Sequence, residues 1–458
     1  MAKNKMDLTQ GSVLKNLLLF AIPIVLTNIL QQLYHAADMI VVGNFAQDST
    51  ASLAAVGFTN SITALCLNLF VGLAIGAGVT VAHALGAKED SAVHRAIHTL
   101  MPTALVSGIL LTVVGVSFSG TFLRWMGTPD TVLPLSSLYM KIYFAGITFT
   151  MVYNFAASIL RAVGDTKSPL IFLTIAGVIN VVMNLIFVTV FHMNVAGVAL
   201  ATIIAQGISA VCCYAKLMKL RHMFDLNKDA FRFDKHISGR IIRIGIPSGI
   251  TQAIMSCSMM IVQALTNSMG EMVIAANVII MRVDGFAMMP NFSFGTALTT
   301  YAGQNVGAGL YDRVTKGAKQ GLAMAVGCSA GITALILFFG KHLMHLFTET
   351  QDLVDLSYRL MMILAVGYIA MAVTQSLSGI MRGAGDTMTP MWISLITTVA
   401  IRVPVAYGIA WLTSPTGNPA DGMKECIQIS LLASWCIGAI LTAIFYKMGH
   451  WKKKRIKQ

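Results

Sequence analysis

Long apolar runs separated by short polar stretches fill almost the whole chain, and none alternates with the period of two that marks a barrel or half-buried strand. Wound as helices, runs of about 20 residues span the roughly 30 Å hydrocarbon core of a bilayer. Twelve such runs occur, over 14–42, 51–84, 93–119, 135–159, 170–191, 196–217, 237–267, 274–304, 318–340, 353–380, 391–413 and 426–447. A helix satisfies its own backbone hydrogen bonds in lipid, so the pattern predicts an all-α integral membrane protein with twelve transmembrane helices. Lys3, Lys5 and Lys15 precede the first run as in a signal peptide, but the run continues to Val42 without a small-x-small cleavage site, so it is read as helix one.

The pattern is duplicated. LRAVGDTKSP at 160–169 returns as MRGAGDTMTP at 381–390, an offset of 221. Ala54 and Ala55 pair with Ala275 and Ala276 at 221, LGAKED at Leu85 with VGAGLYD at Val306 at 221, and Pro23 with Pro247 at 224. Four landmarks at nearly one separation predict two six-helix lobes related by an internal parallel repeat. The expected organisation is an N-terminal lobe over 1–217, an inter-lobe loop over 218–236, a C-terminal lobe over 237–447 and a basic tail over 448–458. Six is even, so both lobes enter the membrane the same way round, an arrangement suited to alternating access. In the repeated turn, Gly164 and Gly385 allow a tight reversal, and Asp165 and Asp386 can cap the next helix. Arg161 and Arg382 are expected to anchor at the lipid phosphate level.

Composition agrees: 56% of the 458 residues are apolar and 11% charged. The net charge of +13 would suggest a nucleic-acid partner if it were spread evenly, but 25 of the 32 Lys and Arg fall on one side of the predicted topology. That is the positive-inside signature, with both termini and the central loop in the cytoplasm, and it removes the nucleic-acid reading. Seven cysteines lie mostly within spans with no metal-ligand spacing, so neither disulfides nor a metal is expected. There is no GxxxxGK[ST] motif and no nucleophile–base or paired-acid set on a loop, so neither ATP hydrolysis nor another enzymatic activity is expected, and no cofactor.

Ionisable residues inside spans are expensive and mark pathways. Asp38 ends the polar segment QQLYHAAD of helix one, and Asn180 and Asn184 lie one turn apart on helix five in the same half of the membrane. A carboxylate in amide company and away from bulk water can take up a proton or hold a cation with the amide oxygens, which makes Asp38, Asn180 and Asn184 the candidate cation-coupling set. Asp38 corresponds to Val262 in the second half, so the lobes differ there. The second half instead carries Arg282 and Asp284 on helix eight and Arg402 on helix eleven, either arginine being able to neutralise Asp284. The candidate substrate cavity comprises Gln31, Gln32, Tyr34 and His35 on helix one, Tyr153, Met255, Arg282, Asp284 and Arg402. Methionine and tyrosine suit flat cations, although most of the 29 methionines are equally well explained as apolar filler.

QQLYHAADMIVVGNF (31–45), AGQNVGAG (302–309) and the two GDT turns together resemble the multidrug and toxic compound extrusion family over essentially the whole chain, most nearly its bacterial MepA-like branch. The resemblance implies a plasma-membrane antiporter that exports organic cations or drugs in exchange for protons or sodium, and a monomer is expected. It implies cation coupling at Asp38 with Asn180 and Asn184, and bending of helix one at Pro23, with Pro247 as its repeat partner. Three departures stand out: Asn184 occupies a position where many relatives have an acid, Met255 and Met371 occupy those of the second-lobe acids of the NorM branch, and His83 stands where Gln is usual. A flippase for a lipid-linked saccharide shares the same bundle and is the alternative. It would call for several cavity cations, and only Arg282 and Arg402 lie deep in the spans. A channel is disfavoured because no filter-like loop is present.

Overall fold

A computed structural model describes residues 6–46, 49–125, 128–219 and 234–453. Helices make up nearly all of it, and no strand occurs among the described residues. Eleven helices are long and apolar enough to cross a membrane, or twelve when a pair bent by 46° is taken as one span. The first half contains α1 (Val13–Phe45), α2 (Ser49–Gly86), α3 (Asp90–Trp125), the bent pair α4 (Leu133–Ala145) and α5 (Ile147–Ala162), α6 (Lys167–Leu185) and α7 (Asn194–Met218). The second contains α8 (Lys235–Ser268), α9 (Glu271–Gly307), α10 (Tyr311–His345), α11 (Gln351–Gly383), α12 (Met388–Leu395) with α13 (Arg402–Thr413), α14 (Cys426–Met448) and the single turn α15 (His450–Lys453). Of the expected inter-lobe loop, 220–233 lie outside the described residues, as do 454–458 of the basic tail and Lys3 and Lys5.

Two features interrupt the regular helices. Between α4 and α5, Gly146 sits so close to α7 that a Cβ on it would fall 2.3 Å from Ile203 Cγ2, and its N–H is shared between the carbonyls of Ile142 (3.3 Å) and Tyr143 (3.2 Å). A wider π turn follows α6 over Ile186–Val190, and another joins α12 to α13 over Ile396–Ile401. Such turns re-aim the side chains beside them.

The duplicated decapeptide folds as two copies of one turn. Gly164 and Gly385 take φ of 89° and 91°, a left-handed conformation costly to any residue with a Cβ. The Asp165 and Asp386 N–H groups donate to the carbonyls of Leu160 (2.8 Å) and Met381 (2.9 Å), closing the preceding helices. Their carboxylates then cap the helices that follow, accepting from the Ser168 N–H at 2.9 Å and hydroxyl at 2.6 Å, and from the Thr389 N–H at 3.3 Å and hydroxyl at 2.7 Å. The structural duty expected of these aspartates is therefore met in both halves.

By packing, the chain forms two compact units: unit 1 holds 1–9, 22–249 and 307–309, and unit 2 holds 10–21, 250–306 and 310–458. The divisions inside α1 and α8 fall beside Pro23 and Pro247, each within its helix. Unit 1 is closed by a seam in which α2 and α8 touch backbone to backbone. A Cβ on Gly72 would lie 2.1 Å from Gly249 N, one on Gly249 2.0 Å from the Leu69 carbonyl oxygen, and one on Gly76 2.6 Å from that of Ile241. Gly72 and Gly76, like Gly245 and Gly249, are four apart, the small-residue spacing that brings helices together in lipid, where the hydrophobic effect supplies no attraction. Unit 2 has its own seam, where Gly379 and Gly383 of α11 meet the carbonyl oxygens of Gly295 and Thr299 of α9 at 2.4 and 2.3 Å from an added Cβ.

Gly249→Ala is expected to destabilise the protein by about 1–3 kcal/mol, because the methyl must push two backbones apart. Gly239→Ala, on the same helix with nothing within 4 Å of the added Cβ, should lose nothing. Thermal unfolding of the purified protein in detergent compares them, and equal melting temperatures would contradict the seam.

Candidate functional site

In unit 1 the candidate coupling residues converge. Asp38 on α1 is buried, 6% exposed, and Asn184 on α6 is fully enclosed. The Asn184 amide N–H donates to Asp38 Oδ1 at 2.5 Å and reaches Asn180 Oδ1 at 3.2 Å. Asn180 in turn donates to the Thr202 hydroxyl on α7 at 3.4 Å. The spacing of 180 and 184 puts both amides on one face of α6, and the π turn begins just beyond them at Ile186. Tyr139 and Tyr143 of α4, stacked at 6.3 Å, stand near the same carboxyl. Asn184 Oδ1 is buried without a hydrogen-bond partner. A carboxyl flanked by an unpaired amide oxygen is a set of acceptors that a proton or a small hard cation can satisfy.

Asp38, Asn180, Tyr143 and Thr202 of this cluster line a cavity of about 270 Å³ inside unit 1, together with Gln31, Tyr34, His35 and Tyr153. Tyr34 is pinned by donating its hydroxyl to the Leu173 carbonyl, and its ring occupies the space a side chain at Gly177 would need, 1.7 Å from an added Cβ. The Tyr153 hydroxyl is buried without a partner. Thr202, Gln206 and Ser209 of α7 line the same cavity. They were not singled out from the sequence, although their i, i+4, i+7 spacing in an apolar span was the available signal.

The remaining candidates do not join this cavity. Gln32 and Arg282 are exposed. Met255 and Arg402 line a second, smaller cavity of about 50 Å³ within unit 2, together with Met371 and Arg382. Arg402 follows the second π turn and is 2% exposed; its Nε–H donates to the Ser434 hydroxyl at 3.2 Å, while Nη1 is buried without a partner. Asp284 lies near Arg402 and the Tyr368 hydroxyl, yet its Oδ1 is likewise unpaired. Of the two arginines expected to neutralise Asp284, then, Arg402 is the neighbour and Arg282 is not. Arg161 and Arg382, expected to anchor at the phosphate level, have protein neighbours: Arg161 lies near Tyr153 and Cys213 within unit 1, and Arg382 lines the unit 2 cavity. Both stems are long enough to turn inward from the end of a helix and bring the guanidinium among other polar groups. Val262, the repeat partner of Asp38, is buried apolar core. Among the described residues no group of three or more His, Cys, Asp or Glu is placed to hold a metal ion.

The sequence profile of the MatE family matches residues 23–186 and again 247–408. The probable multidrug resistance protein YpnP of Bacillus subtilis is 32% identical over 98% of both chains. The multidrug export protein MepA of Staphylococcus aureus is 22% identical over 89% of this chain and 90% of its own. Among solved structures, an outward-facing multidrug resistance MATE family transporter of the MOP superfamily superposes with a TM-score of 0.88 at 22% identity, covering 98% of each chain.

Gly177→Ala is expected to evict the Tyr34 ring from its place and break its bond to Leu173, with the fold retained. Titration of a fluorescent organic cation into the purified protein should show affinity changed about tenfold, the effect of roughly 1.4 kcal/mol. Unaltered affinity would remove Tyr34 from the binding surface.

Proposed function

The chain belongs to the MatE family, and from that premise we propose that it is a secondary-active exporter that carries organic cations or drugs out of the cell in exchange for protons or sodium. The observation that carries this reading is the buried carboxyl of Asp38, bonded to Asn184 on the wall of the unit 1 cavity. A cationic cargo and a coupling ion are attracted to the same charge, and one carboxylate cannot be neutralised fully by both. Competition between them supplies exchange: the inward-moving ion displaces cargo on the outside, and its departure inside restores the charge that draws in the next cargo molecule. Tyr34, Tyr143 and Tyr153 line the cavity, and aromatic rings attract a flat cation. Asn180, Asn184 and Thr202 hold the carboxyl in place and offer the oxygens a sodium ion would need, so this architecture serves either ion.

Alternating access is assigned to the two repeated halves, with α1 as the moving part. Pro23 removes a backbone hydrogen bond at the point where α1 passes from one packing unit to the other, which lowers the cost of bending there. Asp38 lies farther along the same helix, so ion occupancy and helix shape are mechanically linked. The concentration of Lys and Arg on one side of the expected topology supports a plasma-membrane protein with both termini in the cytoplasm. Membrane lipids are its other partners, and it is assigned as a monomer. Unit 2 supplies Met255 and Arg402 to its own cavity, and Pro247 repeats the bend point in α8.

Asp38→Asn should insert and fold as the wild type does but lose gradient-driven efflux. Reconstituted vesicles loaded with a fluorescent cation, with pH and sodium gradients imposed separately, measure this and also identify the coupling ion. Efflux from the variant at the wild-type rate would overturn the assignment.

A further inference from the structure

The unit 2 cavity carries the opposite electrical character from that of unit 1. Among the described residues no Asp or Glu contributes to its wall, while Arg382 and Arg402 both do. Arg402 is almost completely buried and leaves Nη1 unpaired. Arg382 lines the same cavity, as do Gln375 and Ser378 on the neighbouring turns of α11. Asp284 is the acid near Arg402, and it does not line the cavity. An uncompensated arginine within a membrane span costs several kcal/mol, and buried donors left unmade add to the cost. A ligand that supplies negative charge and acceptor oxygens relieves both.

We propose that this cavity is an anion site, accepting one carboxylate- or phosphate-sized group between Arg382 and Arg402 with Gln375 and Ser378 as neutral donors. Guanidinium groups are suited to this because their forked N–H groups match planar and tetrahedral oxyanions, whereas a cation would meet two like charges. The cavity of about 50 Å³ admits a small anionic group with one or two waters and is far too small for a drug-sized body. Its neutral donors come from the same stretch of α11 that ends in the repeated turn, so the site is built on rigid backbone. The equivalent region of unit 1 offers a carboxyl, so one scaffold presents opposite charges in its two halves.

Binding to the full chain in a phosphate-free maltoside detergent tests the proposal without any gradient, so its failure and that of the exporter reading are separable. Trp435 lines the cavity, which makes iodide, an anionic quencher, a direct probe. Saturable quenching is expected, competed by formate and by inorganic phosphate, and absent from Trp435→Phe. Arg402→Gln should weaken the competing anions at least tenfold and Arg402→Lys should retain more of their affinity, while Arg382→Gln gives an independent reading from the other guanidinium. Competition by added phosphatidylglycerol but not by phosphate would identify the anion as a lipid headgroup, and competition by phosphate and formate would identify a soluble one; either supports the site. Quenching that fails to saturate in the wild type, or that is the same in both glutamine variants, would overturn it.

Discussion

A polar group inside a bilayer has no water to turn to, so every donor and acceptor there must find its partner within the protein or leave a cost unpaid. That constraint orders most of what this structure does. It makes the spans helical, and it puts a capping aspartate at the same place in both halves, where Asp165 and Asp386 meet the N–H and hydroxyl of the residues three further on. It also turns threonine and serine hydroxyls back onto their own helices, as Thr59 does onto Ala55 and Thr80 onto Gly76. Once these local solutions are made, the polar atoms that stay unpaired are informative. Among them are Oδ1 of Asn184, whose amide N–H is bonded to Asp38 in unit 1, and Arg402 Nη1 and Asp284 Oδ1 in unit 2.

Much of this was legible in the sequence because it rests on local rules. Apolar run length fixes the spans, and the offset of 221 between the decapeptides anticipates two copies of one turn. The meeting of Asp38, Asn180 and Asn184 follows from helical spacing and from the rarity of a carboxyl in such surroundings. What escaped has a common physical origin: it depends on which way a side chain turns, which spacing does not determine. Thr202 resembles any threonine bonding to the carbonyl four residues back, and it does bond there, to Val198 at 2.9 Å; its second role toward Asn180 exists only because α6 and α7 lie side by side. Arg382 sits at a helix end, where a headgroup contact is the ordinary outcome, yet it faces inward. Arg282 is two residues from Asp284 and so lies on a different side of α9 from the acid it was expected to neutralise. The π turn before Arg402 has no sequence signature of its own and shifts the facing of everything after it.

The two halves show how far one architecture can diverge in chemistry. Their turns and proline positions correspond, yet Asp38 is replaced by a buried valine, and the second half gathers guanidinium groups instead of a carboxyl. Scaffold and site are under different demands: the turn must close whatever the cavity holds, while the cavity needs only a few residues changed to reverse its charge. Fold similarity at 22% identity therefore speaks to the bundle and leaves the contents of each cavity to be read from its own residues.

The glycine seam has a consequence for how the protein is made. Its two faces are separated by most of a lobe's worth of chain: Gly72 and Gly76 enter the membrane on the second span, and Gly245 and Gly249 arrive only with the seventh, while residues 307–309 also belong to unit 1. At synthesis rates of about 5–20 residues per second, the bare backbone groove of α2 waits many seconds for the helix that fills it. During that interval lipid or the insertion machinery has to cover it. A nascent chain halted in the central loop would hold six inserted helices and still lack the piece that completes its first core, so quality control acting at that stage would see an unfinished unit however well each helix had formed.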